Sequence, residues 1–189
     1  MIKLNAKELR GSSLASSLKE AKSEKRTNEI YIILDNILDT YNIGSIFRLA
    51  DAVAAKEVII CGASEVPPNH RIKKASINTT EVVDWSYSES AEKAIKDLRL
   101  IHHSKGGKIK DLNVVAVEQA QNSVRYDKFD YSLPIALVVG HESTGISKEV
   151  LGMCDAVVEL PMFGVNISLN VMVSLAIVLY KVLEKPVSR

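Results

Sequence analysis

The sequence is poor in cysteine and in long apolar runs, and each scarcity excludes a class of protein. Its two cysteines, Cys61 and Cys154, lie far apart, and neither belongs to a Cys-x-x-Cys pair or has a histidine at ligand spacing. A disulfide framework and a zinc site are therefore not expected, which favours a reducing cytoplasm and a site without metal. Neither the N-terminus nor the C-terminal third has an unbroken apolar stretch for export or for spanning a membrane, so we expect no membrane association.

The composition that remains is that of a globular domain, but its charge is unevenly placed. The 189 residues are 47% hydrophobic and 25% charged, which suits one domain with a full core. Residues 1–28 hold seven Lys and Arg against three Glu, whereas the remainder holds 17 against 20 acidic residues. We predict that residues 1–28 are a basic extension with a short amphipathic helix from about Ala6 to Ala21. Its cations could bind a phosphate backbone or form a solvated helix face.

Short runs rich in Val and Ile recur along the rest of the chain and predict β-strands. They are Ile30–Leu34, Glu57–Cys61, Glu81–Trp85, Asn113–Val117, Pro134–Val139 and Ala156–Leu160. Helical stretches between several of them are Ile43–Ala55, Glu89–Leu100, Ser147–Met153 and Ser168–Leu183. This alternation predicts an α/β fold, with a mostly parallel sheet covered by helices on both faces.

Two predicted loops are rich in basic residues. Pro67–Lys74 contains two prolines, one histidine and three basic residues, and Lys105–Lys110 combines two glycines with three lysines. Proline and glycine at these densities favour loops over regular structure. The cations make both loops candidates for contact with nucleic acid.

The first segment with unexpected polar residues is Asn42–Arg48, which follows the first strand. Its apolar residues supply one face of a helix, and Asn42 could cap the start of that helix. Arg48 lies among apolar neighbours, so its guanidinium must either reach solvent or find an anionic partner. From this segment alone the solvated arginine is the simpler interpretation.

The second segment, Gly140–Gly145, comes directly after the strand that ends at Val139. Its glycines allow backbone N–H groups to approach a ligand closely, and Glu142 places a carboxylate at the strand end. A phosphate-binding P-loop is excluded because Ile146 stands where that motif requires lysine, and no GxGxxG fingerprint is present. Taken alone, the segment could equally be an ordinary strand-to-helix turn.

The third segment, Leu160–Asn170, leads into a long apolar helix. Ser168 could cap this helix, and Asn170 would bring an amide into its first turn. A glycine-containing loop of this kind can surround an adenine with backbone groups. Ser168 is not part of a GxSxG elbow and has no histidine and aspartate arranged to activate it, so hydrolase chemistry has weak support.

Taken in order, these segments resemble the three signature motifs of the SpoU (TrmH-like) family in the SPOUT class of RNA 2′-O-ribose methyltransferases. The resemblance covers about residues 29–184. The matching positions are Asn42, Gly44 and Arg48 in the first motif, Gly140, Glu142 and Gly145 in the second, and Pro161, Met162, Gly164, Ser168, Leu169 and Asn170 in the third. A weaker match, Ile72–Ser76 followed by Val82–Trp85, is similar to a segment of the family's transfer-RNA branch.

The resemblance implies a fold and a cofactor that periodicity does not reveal. Residues 29–189 would form a SPOUT methyltransferase domain with a deep C-terminal trefoil knot, which is a rare topology. The domain would form a homodimer with its active site at the interface. S-adenosylmethionine would be the cofactor, and no metal would be needed. The implied cofactor-binding residues are Val117, Gly140, Leu160, Met162, Gly164, Ser168 and Leu169.

The resemblance also implies which residues act on the substrate. The catalytic set would be Arg48, Asn42, Glu142, Ser168 and Asn170. Because arginine stays protonated, we expect Arg48 to hold a phosphate and stabilise a developing alkoxide rather than act as a base. Asn42 would orient Arg48 or the ribose, and Glu142 would fix Asn42 or Asn170. The RNA-binding set would be Arg48, His70, Arg71, Lys73 and Lys74.

The substrate is expected to be transfer RNA, with the D-loop guanosine and the anticodon wobble nucleotide as the two family targets. Ribosomal RNA and a non-catalytic RNA-binding role are the alternatives, and the complete catalytic set argues against the second. The sequence departs from the family at His141, Met172 and Ile77-Asn78. None of these carries chemistry, but His141 and Asn78 bear on the identity of the substrate.

Overall fold

The computed structural model describes residues 28–103 and 111–184. The predicted N-terminal helix and the Lys105–Lys110 loop lie outside these residues. The strands are β1 (Asn28–Asp35), β2 (Ala55–Cys61), β3 (Trp85–Ser88), β4 (Asn113–Val117), β5 (Val124–Arg125), β6 (Ile135–Gly140) and β7 (Ala156–Glu159). The helices are α1 (Thr40–Ala52), α2 (His70–Ser76), α3 (Ala91–His103), α4 (Lys148–Leu151) and α5 (Val171–Leu183), with a 3₁₀-helix at Thr79–Glu81.

The strands form one seven-stranded sheet in the order β3-β2-β1-β6-β4-β7-β5. All six strand pairings between these elements are parallel. At the carboxyl edge, Asp35 of β1 lies opposite Gly140 of β6, and Val117 of β4 lies opposite Val158 of β7. The prediction of a mostly parallel α/β sheet is therefore confirmed, and the ends of its central strands meet at one edge.

The two faces of the sheet bury different helices. Ile32 of β1 packs in one core with Phe47 of α1 and Leu175 of α5, all of them fully buried. The next residue of the strand, Ile33, points to the opposite face and packs in a second core with Ile95 of α3. Side chains alternate along a strand, so nearly continuous Val and Ile runs supply both cores. Helices cover both faces, as predicted.

Helix α1 begins one turn before the residue predicted to cap it. Asp39 is the N-cap, and its carboxylate accepts the backbone N–H of Tyr41 at 2.7 Å. Asn42 is already inside the helix and buried, so the prediction that it caps α1 is wrong. The helix also ends earlier than predicted, because Ala54 adopts a left-handed φ of 49° and Ala55 begins β2.

The predicted loop Pro67–Lys74 is helical over its second half. Asn69 accepts the backbone N–H groups of Arg71 and Ile72 and so caps α2. Ile72 is fully buried against α1, while the basic side chains around it are exposed. The loop prediction is wrong for these residues because one buried isoleucine and a capping asparagine are enough to fix a short helix against a neighbour.

The predicted strand Glu81–Trp85 is also wrong, since β3 begins only at Trp85. Ile77 and Asn78 have left-handed φ angles of 53° and 63° and turn the chain into the 3₁₀-helix. Val82 and Val83 follow this helix and are buried in the core beside α1. These two valines are buried because the turn directs them into the core, not because they belong to a strand. Two adjacent apolar residues in a sequence do not distinguish a buried turn from a buried strand.

None of the helices within 28–103 and 111–184 is long and apolar enough to cross a membrane.

Candidate active site

A cavity of about 590 Å³ opens at the carboxyl ends of β4, β6 and β7. This is the edge at which parallel α/β folds usually bind ligands. The structure places most of the predicted cofactor residues around it, namely Val117, Gly140, Leu160, Met162, Ser168 and Leu169. Gly164 does not line the cavity, and a Cβ added there would meet no atom within 4 Å.

The loop from Gly140 to Gly145 is tight enough to require both of its glycines. A Cβ on Gly140 would lie 2.5 Å from the carbonyl carbon of Gly145, and Gly145 has a φ of +66°. The backbone N–H of Gly145 donates to the carbonyl of His141 at 2.8 Å. The Nδ1 atom of His141 accepts the backbone N–H groups of Ser143 and Thr144 at 3.0 and 3.3 Å. His141 therefore orders this loop from within.

A chain of hydrogen bonds joins the three sequence motifs. Asn42 donates from Nδ2 to Oε1 of Glu142 at 3.1 Å, and Asn170 donates from Nδ2 to Oδ1 of Asn42 at 3.0 Å. The Oδ1 atom of Asn170 accepts the backbone N–H groups of Met172 and Val173, which makes Asn170 the N-cap of α5. Ser168 is therefore not the cap. Both polar atoms of the Asn42 side chain, Nδ2 and Oδ1, have a hydrogen-bond partner, and this fixes the orientation of the amide.

Glu142 is held as a carboxylate by its surroundings. Its two oxygens accept the backbone N–H groups of Leu38 and Asp39 at 3.2 and 3.1 Å, in addition to the amide of Asn42. Partial burial acts to raise the pKa of Glu142, but these hydrogen bonds outweigh it and the net pKa lies below the ordinary value. Glu142 thus ties the motif-two loop to the start of α1.

Arg48 is exposed on α1 and does not line the cavity. In the part of the chain that the structure describes, no hydrogen bond or ion pair involves its guanidinium. The side-chain hydrogen bonds of Asn42 go to Glu142 and Asn170 instead. Of the two possibilities for Arg48, a guanidinium in solvent or one with an anionic partner, the structure of the single chain has the first. The guanidinium is therefore available to bind an anion.

The predicted RNA-binding side chains of α2 share one exposed surface. The four residues are His70, Arg71, Lys73 and Lys74. Helix α2 lies directly against α1 at Gly44, where a Cβ would come within 2.6 Å of the Ala75 side chain and 2.7 Å of the Ile72 carbonyl. Gly44 and Arg48 are one helical turn apart, so they lie on the same side of α1. Arg48 is therefore on the side of α1 that carries α2.

Several polar residues at the cavity were missed in the sequence, and two of them are adjacent in the chain. Glu118 and Gln119 follow β4 and line the cavity beside the predicted residues. The signal that could have found them is a charged and an amide residue placed directly after the buried strand Asn113–Val117, the same pattern that marks the Gly140–Gly145 loop.

Within the described ranges, no group of three or more His, Cys, Asp or Glu side chains is positioned to hold a metal ion.

The fold and the strand-end cavity define a parallel α/β protein with a loop-built ligand site. Its sequence matches the model of the SpoU rRNA Methylase family over residues 29–180. A Bacillus subtilis protein assigned to the TrmH family of tRNA/rRNA methyltransferases is 30% identical over 168 residues, which are 89% of this chain and 64% of that protein. The chain belongs to the SpoU rRNA methylase family.

Two other relatives connect this family to particular molecules. The tRNA (guanosine(18)-2′-O)-methyltransferase of Aquifex aeolicus is 30% identical over 161 residues, covering 84% of this chain and 70% of that enzyme. The crystal structure of an AdoMet-bound rRNA methyltransferase from Sinorhizobium meliloti superposes with a TM-score of 0.72 at 27% identity, covering 86% of this chain and 59% of the other. This chain is thus shorter than several of the proteins it resembles.

Proposed function

We propose that this protein transfers a methyl group from S-adenosylmethionine to a ribose 2′-hydroxyl in RNA. The observation that carries the proposal is the hydrogen-bonded chain from Glu142 through Asn42 to Asn170. It joins one residue of each motif beside a cavity of about 590 Å³, a volume within the usual range for small-molecule sites. The similarity to the Aquifex 2′-O-methyltransferase supports the same reaction.

The residues around the cavity fit S-adenosylmethionine. The lining mixes apolar residues such as Val117 and Leu160 with the small residues Gly140 and Ser168, which suits an adenine sandwiched between apolar groups and read at its edge. Glu118, Glu142 and Glu159 add carboxylates, and no Lys or Arg is among the lining residues of the described chain. A cationic ligand is therefore favoured over an anionic one. When bound, S-adenosylmethionine supplies a methyl group activated by its sulfonium.

The protein's part in the reaction is to position the ribose and stabilise charge. In this proposal Arg48 binds the phosphate beside the target nucleotide and stabilises the alkoxide that develops as the 2′-hydroxyl attacks. The proton leaves to phosphate or water, because a guanidinium that stays protonated cannot accept it. Glu142, Asn42 and Asn170 keep the motifs at a fixed separation, so that the hydroxyl approaches in line, and Ser168 adds a hydroxyl to the polar lining of the cavity.

Transfer RNA is the proposed substrate. The Aquifex relative supports it, and the weaker sequence match to the family's transfer-RNA branch agrees. The exposed cations of α2 and the basic residues before position 28 would bind its backbone. Ribosomal RNA is the second candidate, favoured by the Sinorhizobium structure. Within transfer RNA, the two candidate target nucleotides are the D-loop guanosine and the wobble nucleotide of the anticodon.

The proposal includes a knotted chain, a homodimer and a cytoplasmic location. Family membership supports the knot, and the seven-stranded parallel order is compatible with it. The dimer is supported by large apolar side chains left exposed near the cavity and on α5, among them Phe163, Ile167 and Tyr180. Two free cysteines are compatible with a reducing compartment.

Substitution of Arg48 tests the proposed mechanism. Arg48→Ala should abolish methyl transfer while sparing cofactor binding, since the guanidinium lies outside the cavity. Arg48→Lys keeps the charge but loses the planar fork that can hold a phosphate and an alkoxide together, so the rate should fall by roughly 10²-fold or more. Single-turnover transfer of a labelled methyl group to unmodified transfer RNA measures both variants.

Arg99→Lys is the matched control, because Arg99 pairs with Asp155 on another part of the surface and its replacement should leave the rate near that of the wild type. Near-normal rates in both Arg48 variants would contradict the mechanism. A folded wild type that binds RNA tightly but transfers no methyl group would favour the non-catalytic alternative.

A further inference from the structure

Two polar bridges lie beside the cavity, and the side chains that form the second bridge come from outside the three motifs. The first bridge runs from Glu142 through Asn42 to Asn170 and passes through α1. The second bridge is formed by Glu118 and Gln119 at the end of β4. Each bridge connects the motif-two loop (residues 140–146) with the motif-three loop (residues 160–170). The second bridge makes no hydrogen bond to α1 within the described residues.

Glu118 holds the motif-two loop. Its Oε2 atom accepts the backbone N–H of Ile146 at 3.1 Å, and its Oε1 atom accepts the backbone N–H of Gln119 at 2.8 Å. A Cβ on Gly145 would come within 2.4 Å of Oε2, so this carboxylate lies directly against the loop backbone. The backbone N–H of Glu118 donates to Val158 in β7 at 3.0 Å. The carboxylate is therefore anchored to the sheet on one side and to the loop on the other.

Gln119 holds the motif-three loop. Its Nε2 atom donates to the carbonyl oxygen of Ile167 at 2.7 Å, across 48 residues of sequence. The next residue, Ser168, lines the cavity. The segment around it has little other support, since Val165 and Ile167 are 102% and 81% exposed. A hydrogen bond at this point fixes a segment whose own apolar side chains are exposed.

We propose that Glu118 and Gln119 are positioning residues that set the affinity for the cofactor by holding the two loops at the width of the cavity. The inference rests on the proposed function, because it takes the cavity to be the cofactor site. Since the second bridge does not touch α1, which carries Arg48, it contributes to cofactor binding and not to the chemical step. The first bridge, which reaches α1, contributes to both.

If the second bridge acts on cofactor binding alone, its loss should change the KM for the cofactor and leave kcat unchanged. Loosening a loop that the bound cofactor can still order weakens ground-state and transition-state binding equally, so the KM rises while kcat at saturation is kept. Gln119→Ala should raise the Kd and the KM for S-adenosylmethionine by roughly threefold to tenfold, the usual effect of losing one hydrogen bond. Asn42→Ala should lower kcat as well.

The experiment measures Kd by calorimetry with S-adenosylmethionine and steady-state kinetics with saturating unmodified transfer RNA. Gln119→Met serves as a second variant, because it keeps the side-chain length and replaces the amide, including the N–H donor, with a thioether. Asn113→Ala is the matched control, since Asn113 donates a side-chain hydrogen bond to Ser132 at the opposite end of the same strand, at 2.8 Å. The control should leave both constants unchanged.

The outcomes separate this proposal from the proposed function. A raised Kd and KM with an unchanged kcat in both Gln119 variants, beside an unaltered control, supports it. If the wild type binds the cofactor and the Gln119 variants bind it equally well, or if kcat falls with the KM unchanged, the positioning role is overturned. A folded wild type that binds no S-adenosylmethionine at millimolar concentration overturns the proposed function and this proposal with it.

Discussion

The glycines of the site loops differ in what surrounds them, and this difference can be tested. Gly140→Ala would place a Cβ 2.5 Å from the carbonyl carbon of Gly145, so the loop must shift and cofactor affinity should fall at least tenfold. Gly164→Ala should have little effect on affinity, since its Cβ meets no atom within 4 Å. Calorimetric titration compares the two variants. Equal affinities would contradict the assignment of the cavity.

Residue types alone could identify the motifs but not the partner of each side chain. Asp39 and Asn42 are both good capping residues three positions apart, and only the structure shows that Asp39 caps α1. Asn42 is buried because Glu142 and Asn170 satisfy its amide, from 100 and 128 residues away. Glu118 was overlooked for the same reason, since its long-range partner is a backbone N–H of a distant loop.

At the scale of the elements, the packing of α2 on α1 depends on the absence of a side chain at Gly44. In an isolated helix Gly→Ala is stabilising by about 1 kcal/mol. Here a Cβ would lie 2.6 Å from Ala75 and 2.7 Å from the Ile72 carbonyl, and overpacking costs about 1–3 kcal/mol. Gly44→Ala should therefore destabilise the fold and displace the cationic surface of α2.

Chemical denaturation measures the stability of this variant, and filter binding measures its affinity for transfer RNA. Ser45→Ala, at the next and partly exposed position of α1, is the control and should be nearly neutral. RNA affinity should fall in Gly44→Ala, while cofactor affinity changes little because α2 does not line the cavity. If the free energy of unfolding of Gly44→Ala equals that of the wild type, α2 can shift away from α1 without loss of stability, and the prediction is wrong.

Elements with long Val and Ile runs were predictable because they are buried on both faces of a parallel sheet. The strands β1, β2, β4 and β6 were found in this way. β7 was found as well, although Val158 is its one buried residue. β5 has only two residues, both exposed, and offers no pattern. β3 was misplaced because the left-handed turn at Ile77 and Asn78 changes which apolar residues are buried. Asn78 is a residue type that tolerates such a turn, but Ile77 is not.

At the scale of the whole molecule, the exposed cations of α1 and α2 are separated from the carboxylates of the cavity. The exposed cations of α2 and Arg48 lie on the α1–α2 side, whereas the cavity has Glu118 and Glu142 among its lining residues and no Lys or Arg within the described chain. An RNA backbone is attracted to the first region and a cationic cofactor to the second. This separation suits a reaction between an anionic polymer and a cationic donor.

The position of the transferred methyl group tests the account most directly. Labelled S-adenosylmethionine, unmodified transfer RNA and the purified protein are incubated, and the RNA is hydrolysed with alkali. Alkaline cleavage needs a free 2′-hydroxyl, so a 2′-O-methylated nucleotide remains joined to its neighbour. The account predicts that the label appears in an alkali-stable dinucleotide and that Arg48→Ala leaves none there. Label in mononucleotides would show methylation of a base and would contradict the account.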